Sequence, residues 1–131
     1  MDGEGDEPRV VGTAGASLQV ECRRRGPVVV LRLLGELDLA TIGIVRRAMR
    51  PHLAEGATVE LDLSALELLD SSGLQFLVTA YKAARADGWT LRLVPPAGRA
   101  RQALIVSGLD RVLPLVDGDE GPGAAPTASR R

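Results

Sequence analysis

The sequence predicts an α/β domain built on a mixed, largely parallel sheet of about four to five strands with crossover helices. Short segments with alternating apolar residues, or with β-branched apolar runs, recur along the chain and are typical of strands. Segments whose apolar residues repeat every three or four positions stand between most of them and are typical of helices. Strands that alternate with helices favour parallel pairing through helical crossovers.

The predicted elements follow the order β-β-α-β-α-β-α-β. The strands are expected at 18–22, 28–34, 58–63 and 90–94, with a weak edge strand at 111–116. Pro114 confines that last segment to an edge or demotes it from a strand, because proline lacks the N–H that a sheet ladder needs. The flanking segments 1–17 and 117–131 are poor in large apolar residues, so both are expected to be disordered. One domain covering residues 18–116 is the predicted organisation.

Three helices are predicted between these strands. The first covers 41–53, and Pro51 should kink it or end it early. The second carries an apolar stripe at helical spacing, and Gly88 stands where its C-cap should fall. The third covers 99–107 and ends at Gly108. The stripe of the second helix consists of Leu74, Leu77, Val78 and Tyr81.

The composition argues against several classes of function. The chain has 131 residues, a formal net charge of −1 and only three aromatic side chains, so it lacks both the basic face and the stacking platform that nucleic-acid binders use. Cys22 is the single cysteine, which fits a reduced, cytoplasmic setting. No apolar run reaches the ~18 residues of a membrane span. No catalytic triad spacing, metal-ligand cluster or phosphate-binding loop is visible, so we expect a non-enzymatic protein without a cofactor.

The most informative stretch is residues 66–74, which lie between a strand and the best predicted helix. Asp and Ser are good N-caps, and Ser72 with Gln75 fits a capping box, so a purely structural interpretation is available. The same helix start is also an anion site, because its free N–H groups and the positive end of the helix dipole meet there. A serine exposed at this position can be a kinase substrate, and phosphorylation adds roughly −1.5 to −2 charges.

Several motifs together resemble the signature of STAS domains, specifically the bacterial anti-sigma factor antagonists. The central match is Leu63-Ser64 followed by Leu69-Asp70-Ser71-Ser72-Gly73-Leu74. The sequence Gly35-Glu36-Leu37-Asp38, with Thr41 after it, is similar to the family's turn after the second strand. Ser107-Gly108-Leu109 is similar to the end of its last helix. The resemblance covers residues 18–116 and implies the STAS fold.

The resemblance also implies a mechanism. In that family the first serine after the aspartate accepts the phosphate, which here is Ser71. It places Asp38, Asp70, Ser71, Ser72 and Gly73 on a partner-binding surface. The implied partners are an anti-sigma factor serine kinase of the histidine-kinase-like ATPase class and a protein phosphatase. Binding would release the sigma factor, and phosphorylation of Ser71 would break the complex.

Alternatives remain open at single residues and for the whole domain. Asp38 can cap the helix near Thr41 or face the partner, and Asp70 can favour the helix dipole or orient the acceptor hydroxyl or its nucleotide donor. Gly73 can leave room for a partner or serve a tight turn. For the whole domain, the alternative is an accessory STAS subunit of a membrane-associated transport complex, which need not be phosphorylated.

Overall fold

The computed structural model describes residues 7–116, and its core is a five-stranded sheet with the strand order β1-β2-β3-β4-β5. The strands are β1 (Arg9–Ala14), β2 (Leu18–Arg25), β3 (Val28–Leu37), β4 (Thr58–Leu69) and β5 (Thr90–Val94). The helices are α1 (Ile42–Met49), α2 (Ser71–Asp87) and α3 (Gly98–Ser107), with short 3₁₀ turns at Arg50–His52 and Leu109–Arg111.

The sheet is mixed, as predicted. The pairs β1–β2 and β2–β3 are antiparallel hairpins, whereas β3–β4 and β4–β5 are parallel and are joined through α1 and α2. A further parallel bridge connects Leu93 of β5 to Leu115. Most pairings are therefore parallel, and the predicted fold class is confirmed.

The fifth strand is not the one that the sequence predicted. Strand β1 lies inside the segment 1–17, which was expected to be disordered, and it pairs with β2 along its length. Its side chains are largely exposed, including Val10 and Val11, so it is held mainly by backbone pairing that hydropathy does not report. Residues 15–17 form the turn from β1 into β2, while the expectation for residues 1–6 and 117–131 falls outside the described residues.

The segment 111–116 is not a full strand but is demoted to a single bridge at the edge of the sheet, one of the two outcomes expected from Pro114. A 3₁₀ turn at Leu109–Arg111 takes up its start, and only Leu115 makes a β-bridge. The backbone N–H of Leu93 donates to the carbonyl of Pro114 at 3.0 Å, and that of Val116 donates to the carbonyl of Leu93 at 2.8 Å. Since Pro114 has no N–H to donate, the pairing of this segment with β5 is limited to this one bridge.

Deleting residues 1–14 is expected to lower Tm by at least about 5 °C, roughly 1 kcal/mol at this size. The deletion would expose the edge of β2 and remove the close approach of β1 to α1, where a Cβ added at Gly12 would stand 2.8 Å from Cγ2 of Ile44. Thermal unfolding checks this, with a deletion of residues 1–6 alone as the control, expected to stay within about 2 °C. An unchanged Tm for the longer deletion would mean that β1 adds nothing to stability.

The helices end where proline and glycine predicted, but the buried face of α2 differs from the predicted apolar stripe. Helix α1 ends at Met49, before Pro51, and α2 ends at Asp87, where its C-cap Gly88 adopts the left-handed conformation with φ 83°. The buried residues of α2 are Gly73, Phe76, Leu77, Ala80 and Ala84, while three members of the predicted stripe are only partly buried. Small residues let the helix lie close to its neighbours, and a hydropathy pattern underweights them.

A buried acid in the sheet was not predicted from the sequence. Glu60 of β4 is only 3% exposed, and Arg25 of β2 donates to both of its carboxylate oxygens at 2.9 and 3.0 Å. Arg92 of β5 lies 3.5 Å from the same carboxylate. The hydrogen bond to Glu60 raises the pKa of Arg25. Three strands, β2, β4 and β5, are thus linked by charged side chains.

Candidate functional site

The segments that carry the predicted site leave the sheet side by side. Leu37 at the end of β3 pairs with Leu69 at the end of β4, and these two strands run parallel. The backbone N–H of Asp70 continues the contact by donating to the carbonyl of Leu37 at 3.3 Å. Asp38 and Asp70 are therefore the first residues beyond neighbouring strand ends. The carboxyl edge of a parallel sheet is where binding sites of α/β proteins commonly form.

Asp70 is the N-cap of α2. Its backbone is extended and its Oδ1 accepts a hydrogen bond from the backbone N–H of Gly73 at 2.9 Å. Of the roles considered for Asp70, the structure thus shows one at the start of the helix, as its cap. The predicted capping box is wrong, because α2 begins at Ser71 and Ser72 lies inside its first turn. The N–H groups of Ser71 and Ser72 have no acceptor within the helix, as its geometry requires.

The hydroxyl-bearing residues around this helix start differ in accessibility. Ser71 is exposed, Ser72 is half-buried, and Thr41 of the neighbouring loop is only 1% exposed. The Thr41 hydroxyl is also engaged: it donates to the carbonyl of Glu36 at 2.9 Å and accepts from the backbone N–H of Asp38 at 3.0 Å. Of these three hydroxyl-bearing residues, Ser71 is therefore the most accessible from solvent.

The loop between β3 and α1 is fixed by hydrogen bonds of its own. Oδ1 of Asp38 accepts from the backbone N–H of Ala40 at 3.0 Å, and the carbonyl of Asp38 accepts from the N–H groups of Thr41 and Ile42, both at 3.0 Å. Thr41, not Asp38, is the N-cap of α1, and it makes no side-chain cap bond. Asp38 thus shapes the loop rather than capping the helix, and it remains half-buried at the surface.

Gly73 is buried, and a neighbouring strand occupies the space where a side chain would go. A Cβ added there would stand 2.5 Å from the carbonyl oxygen of Leu37 and 2.8 Å from Cδ1 of Leu69. Gly73 is not among the glycines with positive φ, so no tight turn requires it. Its absent side chain lets α2 start directly against the end of β3, a packing role that the sequence did not indicate.

Comparison with known proteins decides the family. A family model described as "Mlab, STAS domain" matches residues 20–117. This chain belongs to the STAS domain family. An "Anti-sigma F factor antagonist" from Paenibacillus polymyxa is 30% identical to it over 105 residues, which are 79% of this chain and 90% of the relative.

Solved STAS structures agree with the fold. An anti-sigma factor antagonist from Mycobacterium paratuberculosis has a TM-score of 0.63 and 28% identity, and the match covers 80% of this chain and 90% of that one. The anti-sigma factor antagonist SpoIIAA "in its Unphosphorylated Form" has a TM-score of 0.57 and 27% identity, with coverage of 76% and 86%. The mixed sheet and its helices are those of the STAS fold.

Two features of this STAS domain were not predicted: an exposed apolar residue beside the site, Leu39, and a contact of Arg46 between α1 and α2. Leu39 follows Asp38 and is 72% exposed, although it is a large apolar residue. Arg46 of α1 places its guanidinium 5.5 Å from the ring centroid of Phe76 in α2, a cation–π contact that ties the two helices together. An apolar residue in a short polar turn was the available signal for Leu39. No signal in the sequence pointed to Arg46, because its contact is with Phe76, which is distant in the sequence.

Other candidate residues lie away from the site. His52 follows α1, at the edge of the sheet opposite Ser71, and burial lowers its pKa, as do the charges of Arg24 and Arg9. Cys22 is a buried free thiol. Among residues 7–116, no group of three or more His, Cys, Asp or Glu side chains could hold a metal ion. In the same range, no helix is long and apolar enough to cross a membrane.

Proposed function

We propose that this STAS domain is a cytoplasmic anti-sigma factor antagonist that is switched off by phosphorylation of Ser71. Its partner is an anti-sigma factor that is itself a serine kinase of the histidine-kinase-like ATPase class, and a protein phosphatase restores the active form. The role is regulatory and not enzymatic. The observation that carries the proposal is the exposed Ser71 at the first position of a 17-residue helix, beside the end of β3.

The surface proposed for docking is the Asp38 loop together with the start of α2. Ser71 lies at its centre, Asp38 and Asp70 flank it, and Ser72 is half-buried beside it. Gly73 is buried beneath this surface and acts as a positioning residue, because its lack of a side chain lets α2 pack against β3. The relatives named as anti-sigma factor antagonists support this reading, and the description of one as unphosphorylated supports a role for phosphate in that protein.

Mass spectrometry tests the acceptor. Incubation with the anti-sigma factor kinase and ATP is expected to add one phosphate, on Ser71, because this hydroxyl is exposed and not engaged in holding the loop. Ser71→Ala should remove the phosphate and leave the far-UV circular dichroism unchanged. Ser72→Ala is the matched control, one residue further into the same helix, and it should still be phosphorylated. A phosphate on Ser72 or Thr41 would overturn the assignment.

A pull-down from the native cell separates this proposal from the accessory-subunit alternative. Recovery of a histidine-kinase-like ATPase is expected. Recovery of an integral membrane transport complex, with no such ATPase, would instead support the alternative. Repeating the capture in the presence of ATP adds a second readout, because a kinase partner should be released as Ser71 becomes phosphorylated.

A further inference from the structure

Leu39 is a large apolar side chain held out into solvent by a fixed turn. It is 72% exposed, although it follows the buried Leu37 by only two positions. The backbone on both sides of it is tied down, because Asp38 and Thr41 exchange hydrogen bonds across the turn. A side chain presented from an ordered backbone loses less conformational freedom on binding than one on a loose loop.

The position of Leu39 distinguishes it from the other exposed apolar residues of the described chain. Val10 and Val11 lie on β1, Ile105 and Val106 on α3, and Val112 after the last 3₁₀ turn. Leu39 instead lies beyond the end of β3, whose last residue pairs with the residue that precedes Asp70 and Ser71. Among the exposed large apolar residues of the described chain, Leu39 is the one that adjoins the phosphorylation site proposed above.

The surroundings of Leu39 have the layout of a protein interface. Asp38 stands on one side of it, and Asp70 caps the helix that begins beside the same strand end. Helix α1 starts just after the turn, and its basic residues, Arg46 and Arg47, lie in its last turn and not beside Leu39, so the charged groups next to Leu39 are acidic. An apolar centre with a charged rim is the arrangement in which a few anchoring side chains carry most of the binding energy.

We propose that Leu39 is the apolar anchor of the docking surface and inserts into an aliphatic pocket of the anti-sigma factor. This inference rests on the proposed function and names the chemistry of the partner's surface. The pocket is bordered by neutral or basic groups, because Asp38 and Asp70 would repel acidic ones on that side. Phosphorylation of Ser71 then adds charge next to an apolar contact that has to be dry in the complex.

Calorimetry with the unmodified protein and the recovered anti-sigma factor tests the anchor. Leu39→Ala is expected to weaken binding at least tenfold, and Leu39→Met, which keeps the apolar volume, should stay within about threefold of the wild type. Val106→Ala is the matched control: Val106 is 79% exposed on α3, away from the turn, and its truncation should change affinity by less than about twofold. All three variants should keep the wild-type Tm, because the altered side chains are exposed.

The outcomes separate this inference from the function on which it rests. If the wild type binds the anti-sigma factor and Leu39→Ala binds equally well, the anchor is overturned and the proposed function stands. If Val106→Ala weakens binding and Leu39→Ala does not, the docking surface lies at α3 instead. If neither the wild type nor the Val106→Ala control binds a serine-kinase anti-sigma factor, the proposed function fails, and the inference fails with it.

Discussion

Phosphorylation of Ser71 is expected to weaken binding to the anti-sigma factor by roughly 30- to 4,000-fold. Ser71 is exposed at the first position of α2, and the carboxylates of Asp38 and Asp70 already stand at this edge of the sheet. Oδ1 of Asp70 occupies the N–H of Gly73, so the helix start has one donor fewer to offer a phosphate. An uncompensated charge buried at an interface costs about 2–5 kcal/mol, and each 1.4 kcal/mol is tenfold in affinity.

Three forms of the protein measure this switch by calorimetry. Ser71→Ala should bind as tightly as the unmodified protein, because alanine is tolerated at an exposed helical position, and its complex should persist when ATP is added. Ser71→Asp should bind weakly, with a smaller loss than the phosphorylated protein because it carries a single charge. Binding of the Ser71→Asp and phosphorylated forms within about threefold of the unmodified protein, about 0.65 kcal/mol, would refute the electrostatic switch and favour the accessory-subunit alternative.

Gly73→Ala should destabilise the fold by about 2–3 kcal/mol, a fall in Tm of about 10 °C. The added methyl group would stand 2.5 Å from the carbonyl oxygen of Leu37, a backbone atom that cannot rotate away. Helix α2 would have to move off the end of β3, and the better helix propensity of alanine, up to about 1 kcal/mol, offsets only part of this. Thermal and urea unfolding give the change in the free energy of unfolding.

Gly43→Ala is the matched control for this prediction. Gly43 also lies in the first turn of a helix, but a Cβ there would meet nothing closer than Nη1 of Arg47, at 3.8 Å. This variant should be stabilised by up to about 1 kcal/mol through helix propensity alone. If both substitutions raise Tm, the close packing of α2 against β3 is not a constraint. A partner's approach would then be the better explanation for glycine at position 73.

Phosphorylation of Ser71 and the substitution Gly73→Ala thus test two separate properties of the start of α2, its affinity for a partner and its packing. The change at Ser71 should alter affinity and leave stability unchanged, whereas the change at Gly73 should alter stability first. The affinity of the Gly73→Ala variant for the partner should be measured well below its Tm. Any loss of affinity should then reflect only the displacement of α2. This contrast separates a residue that faces the partner from one that positions such residues.

Much of the fold could be predicted because the signals are local. Strand β5 was predicted at its observed bounds, since Pro95 and Pro96 end it, and α1 ends before Pro51 for the same kind of reason. Strand β1 was missed because its order depends on pairing with β2 and on packing against α1. Strand β4 was predicted to stop at residue 63 but runs to Leu69, because β3 pairs with it that far.

For the candidate site too, the local features could be predicted from the sequence and the long-range ones could not. The sequence by itself determined that a helix starts near Ser71, that acids flank it, and that the motif is of the STAS type, because capping preference and motif spacing are properties of neighbouring residues. Only the tertiary structure decided that Asp70 is the cap, that Ser71 is exposed while Gly73 is buried, and that Leu39 stands at the same edge. The parallel pairing of Leu37 with Leu69 brings these distant segments together, and sequence spacing cannot report where two strands end side by side.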